Sequence, residues 1–278
     1  MRVALLYRWR HGRWPRLADP RRFTEWVQWR KLNDRNVQRA RLTDKAHSKR
    51  IAADALGDEF IIPTLWEGRQ LPLSPPWPMP FVVKANHGCG QFVVVRSADD
   101  YGRARHEAPG WLKCFYGGWL DEWHYSKAMR SLLVEPYIGK LDALPIDFKI
   151  YVFGGRATMV QRHEGRGSAH RWSQYGREWL PLSATAPAVA PPPSLAAMLS
   201  AAERLGAGHD FVRVDFYEVD GKPLFGEFCL FPGSGLDPFD PPQLDEWLGR
   251  LWSVERREQR IVVRKEMVDA LGLEPRTR

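Results

Sequence analysis

Two acidic residues, Asp215 and Glu227, lie on adjacent predicted strands of a hairpin late in the chain. The residues around them are mostly apolar: the first strand reads Arg-Val-Asp-Phe-Tyr over 213–217, and the second reads Phe-Gly-Glu-Phe-Cys over 225–229. An unpaired carboxylate is costly to bury, because it loses its hydration. A hard divalent cation takes oxygen ligands and removes that penalty. The hairpin therefore predicts a metal site formed by Asp215 and Glu227.

The length of the hairpin loop decides whether these carboxylates share a face of the sheet. A two-residue loop in a regular hairpin would place Glu227 on the opposite face from Asp215. A three-residue loop over 219–221 would place both on one face, and Gly221 suits the positive φ of its third position. The carboxylates can share a face only with a loop of odd length or with a bulge in the strands. We predict the three-residue loop, with both carboxylates and Arg213 on the cleft side.

A second candidate feature is a strand over 81–84 that runs into a glycine loop, Asn-His-Gly-Cys-Gly over 86–90. Glycine lets the backbone approach a ligand closely, so the loop could offer N–H groups to phosphates beside the preceding lysine. The alternative is a tight hairpin turn with no ligand. The candidate phosphate contacts are Lys84, His87, Gly88 and Gly90. A phosphate loop followed by metal carboxylates predicts a nucleotide–magnesium enzyme.

Lys45 is a further candidate cation, on a helix that we expect Thr43 to cap and Gly57 to end. Lys45 and Lys84 together could bind two phosphate groups. The alternative for Lys45 is a solvated surface lysine.

The strand that ends at Glu135 could supply an adenine site. Glu135 could accept a hydrogen bond from a ligand amine, and the backbone groups of Tyr137 and Ile138 could bind an adenine edge. The alternative is a carboxylate that only caps the end of a strand.

Asp147 and Lys149 alternate along one face of a later strand. In a cleft, Asp147 could bind ribose hydroxyls and Lys149 a phosphate, with Arg162 on the following strand adding positive charge. The alternative is an exposed ion pair that contributes little to stability.

Length, charge and cysteine content restrict the class of protein. The 278 residues, of which 44% are hydrophobic and 27% charged, predict a globular protein of one large domain or two lobes. The net charge of +8 suits an anionic partner, or only a solvated basic surface. Three cysteines without a CxxC pair predict reduced thiols and a cytoplasmic protein. No apolar run is long enough to span a bilayer, which leaves only peripheral membrane contact open.

Motifs of other reaction classes are absent from the sequence. It contains no HExxH zinc motif, no Walker lysine–serine pair and no GxSxG elbow. Arginine and tryptophan interleave near the N-terminus, but no recognised nucleic-acid motif accompanies them. We therefore expect no specific nucleic-acid partner.

Hydrophobic periodicity and turn residues predict interleaved helices and strands. Predicted helices cover residues 21–34, 44–56, 98–107, 118–129, 194–205 and 242–252. Predicted strands cover residues 59–62, 81–84, 91–95, 131–135, 146–153, 156–162 and the hairpin at 211–229. Several of these strands pair as antiparallel hairpins, which favours an α+β fold.

The order of these motifs resembles the ATP-grasp superfamily, and more closely its TupA-like family, which is associated with bacterial cell-surface polysaccharide or teichuronopeptide synthesis. The resemblance covers about residues 20–252. The matching stretches are Leu-Thr-Asp-Lys at 42–45, Phe-Val-Val-Lys-Ala-Asn-His-Gly at 81–88, Phe-Val-Arg-Val-Asp-Phe-Tyr at 211–217, Gly-Glu at 226–227 and Pro-Gly-Ser-Gly at 232–235.

The resemblance implies an ATP-grasp fold of two α+β lobes around a nucleotide cleft. Its parts would be a short N-terminal helical extension at 1–42, a smaller lobe at 43–134 with the phosphate loop, and a larger lobe at 135–278 with the metal-binding hairpin. Lys45, Lys84 and the glycine loop would contact the phosphates of ATP. Residues 135–138 would hold adenine, and Asp147 would hold ribose.

The implied reaction is ligation of a carboxylate to an amine or similar nucleophile through an acyl phosphate. Mg²⁺ would bind Asp215 and Glu227, and the stabilising cations would be Lys149, Arg162 and Arg213. Cys229 stands where many relatives carry an asparagine ligand, and a thiol suits Mg²⁺ poorly, so one metal and two metals both stay open. The acceptor would be a small molecule or a polymer, and an anionic acceptor would suit the basic charge. Two alternatives stay open: an ATP-dependent phosphotransferase, and an anionic-polymer binding module with a degenerate nucleotide site.

Overall fold

The computed structural model describes residues 2–140, 144–165 and 169–270, with side chains described as far as residue 256. The strands are β1 (Trp66–Gly68), β2 (Phe81–Ala85), β3 (Phe92–Val95), β4 (Leu132–Pro136), β5 (Asp147–Phe153), β6 (Arg156–Glu164), β7 (Arg171–Gly176), β8 (Phe211–Val219) and β9 (Lys222–Cys229). The helices are α1 (Arg2–His11), α2 (Phe23–Asn33), α3 (Val37–Ala40), α4 (Lys45–Leu56), α5 (Ala98–Lys113), α6 (Leu195–Gly206) and α7 (Gln243–Ala270).

The strands form two antiparallel sheets. The smaller sheet has the order β1-β4-β2-β3, and the larger has the order β7-β6-β5-β8-β9. Antiparallel sheets flanked by helices confirm the predicted α+β class. Apart from the strand predicted at 59–62, the predicted strands fall within two residues of observed ones, because each is a short apolar run bounded by turn residues.

Each sheet has its own hydrophobic core. In β2 the buried Phe81 and Val83 alternate with Val82 and Lys84, so one face packs on α5 and the other is free for the cleft. The larger core surrounds β5, which is buried along its whole length. Phe23 of α2 joins this core.

The aromatic contacts of Phe23 link α2 and α7 to the larger sheet. Its ring lies 4.8 Å from that of Phe211 and 5.3 Å from that of Trp252. Nearby, the fully buried Arg30 donates to Asp210 at 2.6 Å, so this guanidinium is neutralised inside the protein. Helix α2 is therefore a packed part of the larger core.

Several local predictions were wrong for identifiable reasons. Residues 58–60 form a 3₁₀ turn where a strand was predicted at 59–62, and only Ile61 bridges to the larger sheet. The helix predicted at 118–129 is a set of turns with one 3₁₀ segment at Trp123–Lys127, because Gly117 and Asp121 adopt positive φ. The polar segment at 163–180 contains the unpredicted β7, and its residues 166–168 lie outside the described residues.

The cap of α4 also differs from the prediction. Asp44, not Thr43, accepts the capping hydrogen bond from the amide of His47, at 2.9 Å. The Thr43 hydroxyl donates instead to the carbonyl of Ala40, at 2.7 Å. Because Asp44 holds the first turn, Lys45 is fixed at the start of the helix.

The proposed lobe boundaries at residues 42 and 134 stay predictions, and residues 271–278 of the third region lie outside the described part of the chain. The helix α4 was assigned to the smaller lobe. It packs Ala52 and Leu56 into the core of the larger sheet. Lys45 therefore reaches the cleft from the side of the larger sheet.

Candidate active site

A cavity of about 430 Å³ lies between the two sheets. Its walls come from β2, β3 and β4 on one side, from β5, β8 and β9 on the other, and from the start of α4. Ten of the predicted site residues line it: Lys45, Lys84, Gly88, Gly90, Glu135, Tyr137, Ile138, Asp147, Asp215 and Glu227. Residues that are up to 182 positions apart in sequence thus meet in one cleft, since 227 − 45 = 182.

Lys45 connects the glycine loop to the predicted metal hairpin. Its Nζ donates to the carbonyl of Gly88 at 2.8 Å and lies 3.0 Å from Oε2 of Glu227. Burial lowers the pKa of Lys45, but the Glu227 carboxylate outweighs this effect and the net pKa is raised. Lys45 is therefore a permanent cation at the end of the cavity that the glycine loop forms.

Glu135 orients two lysines at the same end. Its Oε2 lies 2.6 Å from Nζ of Lys84, and its Oε1 accepts a hydrogen bond from Nζ of Lys49 at 2.8 Å. The pairing of β2 with β4 places Val82 opposite Glu135, so Lys84 is a diagonal neighbour on the same face. Burial opposes ionisation of Glu135, but the two lysines hold its pKa below the usual range.

This arrangement gives Glu135 a role that was not predicted. Its two oxygens are engaged by lysines, so it positions Lys84, and its contact with an adenine amine stays a prediction. Sequence reasoning missed Lys49, although Lys49 lies four residues after Lys45 on the same helix face, which was the available signal.

The cavity also has apolar walls suited to a flat base. Val82 and Val94 come from the smaller sheet, and Tyr137 and Ile138 follow β4. The Tyr137 amide donates to the carbonyl of Pro80 at 3.2 Å. Because the Tyr137 amide is already hydrogen-bonded, a base bound here would use the backbone carbonyl groups of this segment or the Ile138 amide.

The hairpin brings Asp215 directly opposite Glu227 by a route that differs from our preferred one. The three-residue loop is wrong: Val219 pairs with Lys222, which leaves a two-residue turn. Asp220 and Gly221 have φ of 51° and 73°, as a tight hairpin turn requires. A bulge shifts the register between Asp215 and Phe216, because Gly226 is an extra residue between their partners Glu227 and Phe225. This shift places Asp215 and Glu227 on the same face of the sheet. The alternative in our prediction, a bulge, is the one observed.

Asp215 is held by two cations. Arg213 donates to both of its oxygens at 2.7 Å, and Lys149 donates to Oδ2 at 2.6 Å. Lys149 also donates to Asp147 at 2.6 Å. Burial would raise the pKa of Asp215, but Arg213 and Lys149 outweigh it and hold the pKa far below the usual range.

Glu227 is likewise ionised. Burial raises its pKa and Lys45 lowers it, with a net lowering. Two ionised carboxylates that face a cavity are oxygen donors of the kind that Mg²⁺ binds, and Mg²⁺ keeps waters and substrate phosphates as its other ligands. Among the described residues, no group of three or more His, Cys, Asp or Glu is arranged to hold a metal. The donor set therefore fits a metal that is shared with phosphates, and not a closed protein site.

Cys229 lies two residues after Glu227 on the same face, opposite Arg213. Burial raises the pKa of its thiol to about 12, and the Arg213 guanidinium only partly opposes this effect. A protonated thiol is a poor ligand for a hard cation. Cys229 is therefore poorly suited to bind Mg²⁺ in this state.

Four predicted site residues do not line this cavity: Lys149 and Arg213, which contact Asp215 instead, and His87 and Arg162. His87 is buried, and its Nε2 lies 3.0 Å from the carbonyl of Trp111, so the imidazole connects the glycine loop to α5. Arg162 pairs in register with Phe148 and forms an ion pair with Glu164 at 2.6 Å. Since Phe148 and Lys149 point to opposite faces of β5, Arg162 lies on the face away from Asp215.

A second, smaller cavity of about 50 Å³ adjoins the buried Arg213 and was not predicted. Gln161 and His163 of β6 share the face of Lys149, because Lys149 pairs with Gln161. The sequence signal that could have predicted this cavity was the pair of polar residues at 161 and 163, which alternate onto one face of a strand. The other polar residues that line this cavity are Thr24, Trp172, Gln174 and Asp237.

Two antiparallel sheets thus enclose a cleft that is lined by lysines and by paired carboxylates. The sequence profile of the TupA-like ATP-grasp family matches residues 25–253. The chain belongs to this TupA-like ATP-grasp family.

Solved structures of similar fold are ligases. D-alanine–D-alanine ligase from Bacillus anthracis, complexed with ATP, is 17% identical, with 81% of this chain and 67% of that chain covered at a TM-score of 0.51. L-amino acid ligase from Bacillus licheniformis is 16% identical over 68% of this chain and 44% of that chain, with a TM-score of 0.45. No curated protein matches the chain. At identities this low, the structural similarity shows a shared ATP-grasp ligase fold and nothing more specific.

Proposed function

We propose that this protein is a Mg²⁺- and ATP-dependent ligase that joins a carboxylate to an amine or similar nucleophile through an acyl phosphate. One observation carries the proposal: Asp215 and Glu227 lie opposite each other in the same cavity as Lys45 and Lys84. Two ionised oxygen donors and two lysines together match the needs of a metal-bound triphosphate. The fold of the family supports this interpretation.

In the proposed reaction, a carboxylate oxygen of the substrate attacks the γ-phosphorus of ATP, and the bond to the ADP oxygen breaks. The nucleophile then attacks the acyl carbon, loses a proton, and releases inorganic phosphate. Mg²⁺, held by Asp215 and Glu227, would supply charge neutralisation at the phosphates. The protein's own contribution is mainly positioning and electrostatic stabilisation.

The cations have separate roles in this scheme. Lys45 and Lys84 bind phosphate oxygens at the glycine loop, and Glu135 holds Lys84 in place through its 2.6 Å ion pair. Lys149 and Arg213 lie beside Asp215, where they stabilise the developing negative charge at the acyl phosphate. Asp147 binds ribose hydroxyls, and the segment at 137–138 contacts adenine.

The carboxylate substrate would occupy the small polar cavity beside Arg213. A guanidinium is a good partner for a carboxylate, and Gln161, His163 and Gln174 supply further hydrogen-bonding groups. The cavity volume of about 50 Å³ suits the reacting head of a larger substrate. By family association, the pathway would be bacterial cell-surface polysaccharide or peptide synthesis.

Hydroxylamine trapping separates a ligase from a phosphotransferase. Purified protein with Mg²⁺, ATP and a panel of amino acids and uronic acids should release ADP and, with hydroxylamine present, form the hydroxamate of the active carboxylate. A phosphotransferase would instead accumulate a stable phosphate ester and no hydroxamate. If calorimetry detects no Mg²⁺-dependent ATP binding, both enzyme hypotheses, ligase and phosphotransferase, are refuted and a polymer-binding module is favoured.

A further inference from the structure

The outward face of α1 has an unusual composition for a protein surface. Trp9 is 78% exposed and Leu5 is 49% exposed, whereas Val3 and Tyr7 on the opposite face are buried. Leu5 and Trp9 are four residues apart, so they form one ridge on the helix. The hydroxyl of Tyr7 lies 3.0 Å from Oγ1 of Thr24, which helps to fix α1 to the body of the protein. The exposed ridge is therefore rigidly presented.

Two more tryptophans extend this ridge at its ends. The Arg2 guanidinium lies 5.4 Å from the ring centroid of Trp119, which is 71% exposed. The Arg8 guanidinium lies 5.1 Å from the ring centroid of Trp14, which is 56% exposed. Large apolar side chains that cluster on a surface indicate an interaction site. We call this set the tryptophan ridge: Arg2, Leu5, Arg8, Trp9, Trp14 and Trp119.

The surroundings of the ridge are positively charged. Residues 2–18 contain five arginines and no aspartate or glutamate. Arg2 is paired with Asp121, and Arg13 with Asp245. Arg8 and Arg10 are exposed, and within the described part of the chain no carboxylate lies within the 4.0 Å ion-pair distance of either. Their charge is available to an anionic surface.

We propose that the tryptophan ridge docks this protein onto the surface of an anionic lipid bilayer. Indole rings favour the boundary between headgroups and acyl chains, and arginine stems let the guanidinium reach lipid phosphates. A helix face that carries Trp9, flanked by the exposed Trp14 and Trp119 and by exposed arginines, fits such a boundary. A soluble polyanion would need the charges but would leave the indoles exposed. In the described residues no helix is long and apolar enough to cross a bilayer, so the contact is peripheral.

Vesicle flotation with the full chain tests this proposal, independently of any ligase activity. The protein should bind vesicles that contain phosphatidylglycerol, bind vesicles of pure phosphatidylcholine much less, and be released by salt. Trp9→Ala should weaken binding roughly tenfold or more, because its apolar area no longer enters the interface. Arg8→Ala should weaken it about fivefold.

Matched controls lie on the smaller sheet's side of the molecule. Leu73 is 83% exposed, and Arg103 lies on the exposed surface of α5. Leu73→Ala and Arg103→Ala should leave vesicle binding unchanged. All four variants should keep the wild-type unfolding midpoint, since these side chains are exposed.

Three outcomes would overturn the proposal: no binding to phosphatidylglycerol vesicles, full binding by the triple variant Trp9→Ala, Trp14→Ala, Trp119→Ala, or equal loss in the control variants. Binding to soluble heparin without binding to vesicles would assign the surface to a polyanion and also overturn it. Loss of flotation confined to the ridge variants would establish the docking face.

Discussion

Nζ of Lys45 lies 3.0 Å from Oε2 of Glu227, which joins the first turn of α4 to the last strand of the larger sheet. The predicted phosphate contact and the predicted metal ligand therefore neutralise each other across the cleft. Binding of a magnesium–nucleotide complex would replace this ion pair by two separate ones, cation with phosphate and carboxylate with metal. Such an exchange keeps every charge paired, so neither group is left uncompensated.

Lys84→Ala should weaken ATP binding roughly ten- to hundredfold. The substitution removes a charge-assisted contact of about 1.5–3 kcal/mol. Folding should be largely retained, because Glu135 keeps its hydrogen bond from Lys49. Calorimetric titration with Mg–ATP measures the effect, with the exposed Lys113→Ala as control. Equal affinity in both variants would contradict the phosphate role of Lys84.

Asp215→Asn and Glu227→Gln should both abolish the Mg²⁺ dependence of ATP binding but differ in stability. Asp215 is buried between Arg213 and Lys149, and its neutralisation leaves the buried Arg213 without its carboxylate partner, while Lys149 keeps Asp147, so we expect a loss of about 3–5 kcal/mol. The Glu227 side chain is 29% exposed and pairs with the single cation Lys45 among the described residues, so its loss should be clearly smaller. Urea unfolding and Mg²⁺ titration together test this pair of expectations. Retained Mg²⁺ dependence in either variant would remove that residue from the metal site.

Gly226→Val should lower activity at least tenfold while the fold is kept. A Cβ atom at Gly226 would lie 3.1 Å from the carbonyl oxygen of Asp215 and 3.3 Å from the ring of Tyr217, so the bulge has to shift. Gly102→Ala is the control, because a Cβ there meets nothing within 4 Å. ADP release and circular dichroism report on the two variants. Full activity with valine at 226 would mean that the bulge geometry is not required.

Cys229 should resist alkylation in the folded protein. With a pKa raised to about 12, its thiol is protonated at neutral pH, whereas the exposed Cys114 has solvent access. Mass spectrometry after brief iodoacetamide treatment should find Cys114 modified first. Cys229→Asn should also raise Mg²⁺ affinity, since an amide oxygen is a harder ligand. Weaker Mg²⁺ binding in that variant would contradict our reading of this position.

Lys31 should make stability rise with pH in the weakly alkaline range. Burial lowers its pKa from 10.5 to about 8, although Glu122 opposes the shift. Between these two pH values the unfolded chain holds the proton more strongly than the folded chain, so the free energy of unfolding increases as the pH rises. Denaturant unfolding from pH 7 to 10 measures the effect in the wild type and in Lys31→Met. The difference between the two proteins should change in this window, and parallel pH curves would contradict the assignment.

The sequence by itself determined the chemical parts and their local setting. Lys84 at a strand end, the glycines after it, and Asp215 and Glu227 in apolar strands are all local patterns, because strand alternation and turn chemistry depend on neighbouring residues. The α+β class followed from the same patterns. The family resemblance supplied the order of the motifs, and its span agrees with the match over residues 25–253.

Only the tertiary structure decided which of these parts meet. The pairing of Glu135 with Lys49 and Lys84 depends on β4 lying beside β2, and the polar cavity at Gln161 and His163 depends on β6 lying beside β5. The shared face of Asp215 and Glu227 comes from a bulge and not from the loop, although both solutions satisfy the same alternation. Strand order, register and bulges are set by the packing of whole sheets and helices, and a local sequence pattern does not contain that information.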